Sequence, residues 1–178
     1  MKIGAKEIGA IAEVSKALGI PSNWLHDLIA FETAGTFNPQ IVNSHDPEAK
    51  GLIQFRDESS QDLGYRDSAD LVSKNPGFEE QLRGPVYLYL RRYAPFSSEQ
   101  SLYMSVFYPK ARTWSKSKEF PPHVQRANPG IVTVGDYVRL VRTWGEKFPE
   151  SRQAASVALV AMGLIAFGLW AFSKWKNS

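Results

Sequence analysis

From Ala154 to Phe172 the chain runs for 19 residues, AASVALVAMGLIAFGLWAF, without a charge. No other feature restricts the fold as strongly, because an apolar helix of that length has to be covered on every side, by protein or by lipid. At roughly 1.5 Å per residue it matches a hydrocarbon core of about 30 Å. Trp170, Lys174, Trp175 and Lys176 gather at its far end, as interfacial aromatics and snorkelling lysines do. The remainder of a 178-residue chain is too short to wrap such a helix completely. The sequence therefore predicts one C-terminal transmembrane helix over 154–172, with the lipid bilayer as its partner. It divides the chain into a domain at 1–150 and an anchor with a short basic tail at 151–178.

The part before the run has the composition of an ordinary globular domain, without low-complexity tracts or repeats. A formal net charge of +3, with the basic residues scattered, does not point to nucleic acid. Cysteine is absent, which excludes disulfides and thiol chemistry. His26, His45 and His123 are too dispersed to suggest a metal site, so neither a metal nor a cofactor is expected. The N-terminus, MKIGAKEIGAIAEVSKALG, does not read as a secretory signal, because Lys6, Glu7 and Glu13 interrupt its apolar residues. It reads as an amphipathic helix with Ile8, Ile11, Val14 and Leu18 on one face.

Further helices are expected after Pro21 and Ser22, near 79–93 with a kink or a late start at Pro85, and over 98–108 up to Pro109. Another opens at Thr133, where TVGD forms a possible capping box with Asp136, and runs through Val134, Val138, Val141 and Phe148. Residues 36–50 are rich in turn formers, and no alternating stretch of strand length is found. The fold class is mainly α.

One acid stands out. In PSNWLHDLIAFETAG the helix after Pro21 carries Leu25, Leu28 and Ile29 as its apolar stripe, and Glu32 follows at the spacing of that same face. Partial burial raises a carboxyl's pKa, which is what a general acid requires. Gln54 sets an amide inside the apolar run GLIQF, 51–55, where it needs partners or a ligand. Gly51 permits close approach of the chain there.

Glu32-Thr33 followed by FNP at 37–39 and KGLIQF at 50–55 resembles the signature of the lytic transglycosylases of the lysozyme superfamily. LYMSVFYPKA, 102–111, and NPGIVTVGDYV, 128–138, resemble its phage-borne branch. Together these matches extend over roughly 24–140. The resemblance implies a lysozyme-like, α-rich domain that cleaves peptidoglycan glycan strands between N-acetylmuramic acid and N-acetylglucosamine. Glu32 would first protonate the glycosidic oxygen and then accept the proton of the muramyl C6 hydroxyl as a 1,6-anhydro ring closes. Thr33, Gly51 and Gln54 would belong to the substrate site. Thr33 stands where the family commonly has serine. The family's Ala-Tyr-Asn stretch, which brings a tyrosine to the acid, has no clean copy, leaving Tyr103 and Tyr108 as the candidates for that tyrosine.

Two rivals remain in view. A hydrolase of the goose-type lysozyme kind would use Asp46 or Asp57 to position water, and a non-enzymatic wall-binding protein would keep the shape alone. Arg139, Arg142, Lys147 and Arg152 precede the apolar run, against Lys174 and Lys176 after it. That bias holds the domain on the cytoplasmic side of a membrane, away from peptidoglycan. The expectation that reconciles the two is a membrane-anchored protein of a phage virion, in contact with virion proteins. The alternative is anchoring in the host inner membrane.

Overall fold

The computed structural model describes residues 3–160 and 162. Helix α1, Ala5–Leu18, buries Ala10, Ile11, Val14 and Leu18. Its start is held by Glu7, whose Oε2 accepts from the Gly4 amide at 2.9 Å. After a short turn, α2, Ser22–Glu32, passes through the middle of the domain. Leu25, Leu28, Ile29 and Ala30 on it are completely buried, as a helix packed on several sides requires. Helix α9, Val134–Glu146, lies along α2 in the most extensive helix-to-helix contact of the domain, with α1 and α7, Glu99–Phe107, also against α2.

Between α2 and α7 the chain builds a more open half from loops and short helices. These are α3, Asp57–Gln61, α4, Ser68–Lys74, α5, Phe78–Gln81, and α6, Tyr87–Arg91. Residues Leu82–Val86 join α5 to α6 through a widened π turn that bends at Gly84. Pro85, whose ring prevents a regular α-helical turn there, is the reason. Asp67 caps α4 by accepting from the Asp70 amide at 2.7 Å. Helix α8, Pro122–Ala127, leads to α9. The capping box expected there is formed: Thr133 Oγ1 accepts from the Asp136 amide at 3.2 Å, and Asp136 Oδ2 accepts from the Thr133 amide at 2.8 Å. Among the described residues extended pairing is limited to isolated bridges, Val42 with Lys50, Lys50 with Phe55 and Glu119 with Thr133. The domain is mainly helical, as the periodicity predicts.

The expected transmembrane helix is corrected. Among the described residues no helix is long and apolar enough to cross a membrane. Helical backbone does extend over 149–160, but its first turns are bound to the domain. Arg152 makes a forked ion pair with the buried Asp27 of α2, Nε at 2.8 Å from Oδ1 and a terminal nitrogen at 3.0 Å from Oδ2. Ala155 is completely buried. His26 joins the same cluster, with Nδ1 at 3.2 Å from Asp27 Oδ1 and Nε2 at 2.9 Å from Ser151 Oγ. Gly145 makes room for it, since a Cβ there would stand 1.9 Å from Asp27 Oδ1. The apolar run thus begins as one side of the domain. Residue 161 and residues 163–172 of the run lie outside the described residues. The membrane-anchored localisation expected from that run, in a virion or in the host inner membrane, is corrected with it.

Candidate active site

Glu32 is the last residue of α2. The chain then reverses tightly, with Ala34 and Phe37 in left-handed backbone, at φ 48° and 51°. Such conformations cost about 1–3 kcal/mol each in non-glycine residues and persist only where the surroundings impose them. Here Phe37 is buried against His26 and Phe148, with ring centroids at 5.4 and 5.3 Å. Thr33 supplies the second restraint. Its hydroxyl donates to the Ile29 carbonyl at 2.6 Å and accepts from the Phe37 amide at 3.0 Å. The turn that ends the helix is therefore fixed at both sides, and so is the direction of the Glu32 side chain.

That side chain reaches a cleft of about 340 Å³. Phe31, Glu32 and Ala34 of the α2 end line it, together with Ile41, Val42, Asn43, Ser44 and Gln54 of the following loops, and Phe107, Asn128, Ile131 and Tyr137 from the α7 to α9 region. Glu32 is the only carboxylate among these residues. The Tyr137 hydroxyl donates to its Oε1 at 2.8 Å. Tyr137 is held by a ring stacked on Phe107, centroids 4.1 Å apart, and by the edge of Phe31 at 5.3 Å. Burial raises the Glu32 carboxyl from 4.5 to about 7, against the opposing pull of the Tyr137 hydrogen bond, which favours the ionised form. Burial likewise raises Tyr137 well above the ordinary tyrosine value, and the Glu32 charge adds to this. The phenol thus stays protonated and serves as a donor. With Oε1 occupied by Tyr137, Oε2 is the oxygen left to carry or receive a proton in the cleft.

The opposite loop is positioned by a buried amide. Gln81 of α5 is completely buried; its Oε1 accepts from the Leu52 amide at 2.5 Å and its Nε2 donates to the Pro39 carbonyl at 3.0 Å. One side chain thereby ties the Gly51–Gln54 turn to the length of chain that leads into Ile41 and Val42. Gly51 has φ +81°, and a Cβ on it would stand 2.5 Å from Gln81 Oε1. Only glycine suits both demands. Gln54 completes the turn at φ 53°, with its Nε2 donating to the Gly51 carbonyl at 3.0 Å.

Of the residues singled out in the sequence, Glu32 and Gln54 are brought together in the cleft. Thr33 and Gly51 lie behind it as supports. Tyr103 is completely buried in the core, its hydroxyl without a hydrogen-bond partner among the described residues. Tyr108 packs on Trp114 and Phe120 at centroid distances of 5.8 and 5.9 Å. The tyrosine that meets the acid is Tyr137, inside the stretch GIVTVGDYV. Its place among Val134, Val138 and Val141 gives it the periodicity of a core residue, and nothing in that pattern marks its hydroxyl. Asp46 pairs with Arg56 at 3.2 Å, and Asp57 accepts from the Ser68 amide at 2.9 Å, which holds its carboxyl below the usual range. Neither lines the cleft. Among the described residues no cluster of His, Asp and Glu suited to a metal ion occurs. Comparison of the chain with protein-family models, with curated proteins and with solved structures returns no match.

Proposed function

We propose that this chain is a peptidoglycan lytic transglycosylase with Glu32 as its one catalytic carboxyl. The observation that carries the reading is a lone cleft carboxylate whose pKa is raised to about 7 and whose one oxygen is engaged by Tyr137. Near neutral pH such a group is populated in both protonation states, so it can act as an acid and then as a base within one turnover. In the first step Oε2–H protonates the glycosidic oxygen as the bond from the muramyl anomeric carbon breaks. In the second the carboxylate removes the proton of the C6 hydroxyl, whose oxygen closes on the anomeric carbon to give the 1,6-anhydro ring. The usual schemes for glycoside hydrolysis need a second carboxyl group to activate water or attack the sugar. The cleft lining, with Asp46 and Asp57 absent from it, supports the one-carboxyl scheme over that rival.

Tyr137 donates to the carboxylate formed in the first step and so prevents burial from raising the pKa beyond a useful range. The phage-like motifs at 102–111 and 128–138 support a use in local wall penetration during infection. Digestion of purified sacculi followed by mass spectrometry tests the proposal. Muropeptides with anhydromuramic ends are expected from the wild-type chain and not from Glu32→Gln. Products heavier by one water, with reducing ends, would show hydrolysis instead, and no soluble product would reject an enzyme.

A further inference from the structure

His26 and Asp27 of α2 meet Ser151 of the helical segment 149–160, and none of the three lines the Glu32 cleft. His26 and Asp27 are both completely buried. Asp27 is ion-paired with Arg152, whose Nε is 2.8 Å from Oδ1, and a carboxylate can only accept hydrogen bonds. His26 Nδ1, at 3.2 Å from Asp27 Oδ1, is therefore the ring nitrogen that carries the proton. That assignment leaves Nε2 as an acceptor, 2.9 Å from Ser151 Oγ. The Phe148 carbonyl competes for the same hydroxyl at the longer distance of 3.2 Å. Carboxylate, imidazole and hydroxyl thus stand in the order in which a base activates a nucleophile and a third group orients the base.

The nucleophile end of this chain of groups opens on a second cavity. Ser151 is partly exposed and lines a space of about 400 Å³ with Ile3, Ile8, Phe37, Phe148, Pro149 and Ala154, to which Lys147 and Glu150 add charged groups. The apolar lining suits an acyl chain, and the charged groups a polar alcohol portion. Ser151 also lies in the first turn of its helix, where amides lack intrahelical carbonyls and can face an oxyanion. We propose that Ser151, His26 and Asp27 form a second catalytic site that hydrolyses esters of apolar acyl chains. Ser151 Oγ attacks the ester carbonyl carbon as its proton passes to His26 Nε2. The bond from that carbon to the alcohol oxygen then breaks, and the proton leaves with the alcohol. Water attacks the acyl-serine in the same manner, giving one proton to Nε2, which returns it to Ser151 Oγ as the carboxylic acid departs. Asp27 keeps the imidazole in the required tautomer throughout. The site does not depend on the reading of the cleft as a glycan site.

Two measurements on the full chain test it. The first treats the folded wild-type chain with an alkyl fluorophosphonate, which reacts with activated serines, and locates the adduct by peptide mass spectrometry. The adduct is expected on Ser151, and not after the chain has been unfolded before treatment. The second follows hydrolysis of p-nitrophenyl butyrate by the chain carrying Glu32→Gln, so that the acid of the other cleft takes no part. Adding Ser151→Ala, which removes only a hydroxyl, should lower that rate by at least about a hundredfold. Absence of the adduct from Ser151 overturns the proposal, as does ester hydrolysis that survives Ser151→Ala. Should Ser151→Ala fail to fold, the adduct on the wild-type chain decides alone, since it needs no substitution. Digestion of sacculi is a separate readout: a labelled Ser151 in a chain that cleaves no glycan upholds this site and rejects the transglycosylase, and the reverse result does the opposite.

Discussion

Replacing Glu32 by glutamine should make the protein more stable at the pH where it makes it inactive. The folded carboxyl titrates near 7 instead of 4.5 because burial disfavours its charge. A group whose folded pKa is raised binds more protons in the folded than in the unfolded state between those two values, so stability falls as pH rises through that window. Below 4.5 the carboxyl is neutral in both states and contributes no difference. Above about 7 it is charged in both and the full penalty applies. The difference of roughly 2.5 units corresponds to about 3 kcal/mol, at about 1.4 kcal/mol per unit. Glu32 keeps some contact with solvent through the cleft, so this is an upper figure. Glutamine has the same shape, still accepts from Tyr137 through its oxygen, and carries no charge. For a chain of this size the gain is about 5–10 °C in Tm at pH 8, shrinking to nothing at about pH 4. Thermal unfolding of both proteins across that range is the assay. A gain that does not depend on pH, or a loss of stability at pH 8, would refute the burial argument for the acid.

Tyr137→Phe removes the donor that favours ionised Glu32, so the carboxyl should titrate higher still, by about one unit; the pH profile of glycan cleavage should move up with it. Tyr103→Phe removes a buried hydroxyl that has no partner among the described residues, and is expected to leave cleavage unchanged and stability equal or higher by about 1 kcal/mol in thermal unfolding. Arg152→Ala removes the forked partner of Asp27, which is buried beneath Gly145, and should cost about 3 kcal/mol in urea unfolding, the low end for a broken buried pair because Arg152 is itself 29% exposed.

The long helices were legible because their ends and faces are written locally. Pro21 ahead of Ser22, the Thr133 and Asp136 box, and the stripe of Leu25, Leu28 and Ile29 each specify a boundary or a buried side without reference to the rest of the chain. Helices α3, α4 and α8 were not, since five to seven residues carry too few turns for a period to emerge. The site divides in the same way. Glu32 is legible as an acid on an apolar face, whereas nothing in the local pattern marks Gln81, which follows Glu79 and Glu80. Its burial depends on two loops, at Pro39 and Leu52, closing over it. Tyr137 was hidden for the opposite reason, as an aromatic among valines. The apolar run misled because hydropathy records that a segment avoids water, not what covers it. The contact of Arg152 with Asp27 lies 125 residues apart in sequence, beyond the reach of any local pattern.

The most direct measurement of the central claim is the origin of the oxygen at the new glycan end. Sacculi digested in heavy-oxygen water, and analysed by mass spectrometry, should yield anhydromuramic ends with no heavy oxygen, because the C6 hydroxyl and not solvent attacks the anomeric carbon after Glu32 protonates the leaving oxygen. Incorporation of one heavy oxygen at each new end would contradict the account, since water would then be the acceptor and a single carboxyl in the cleft would no longer explain the reaction.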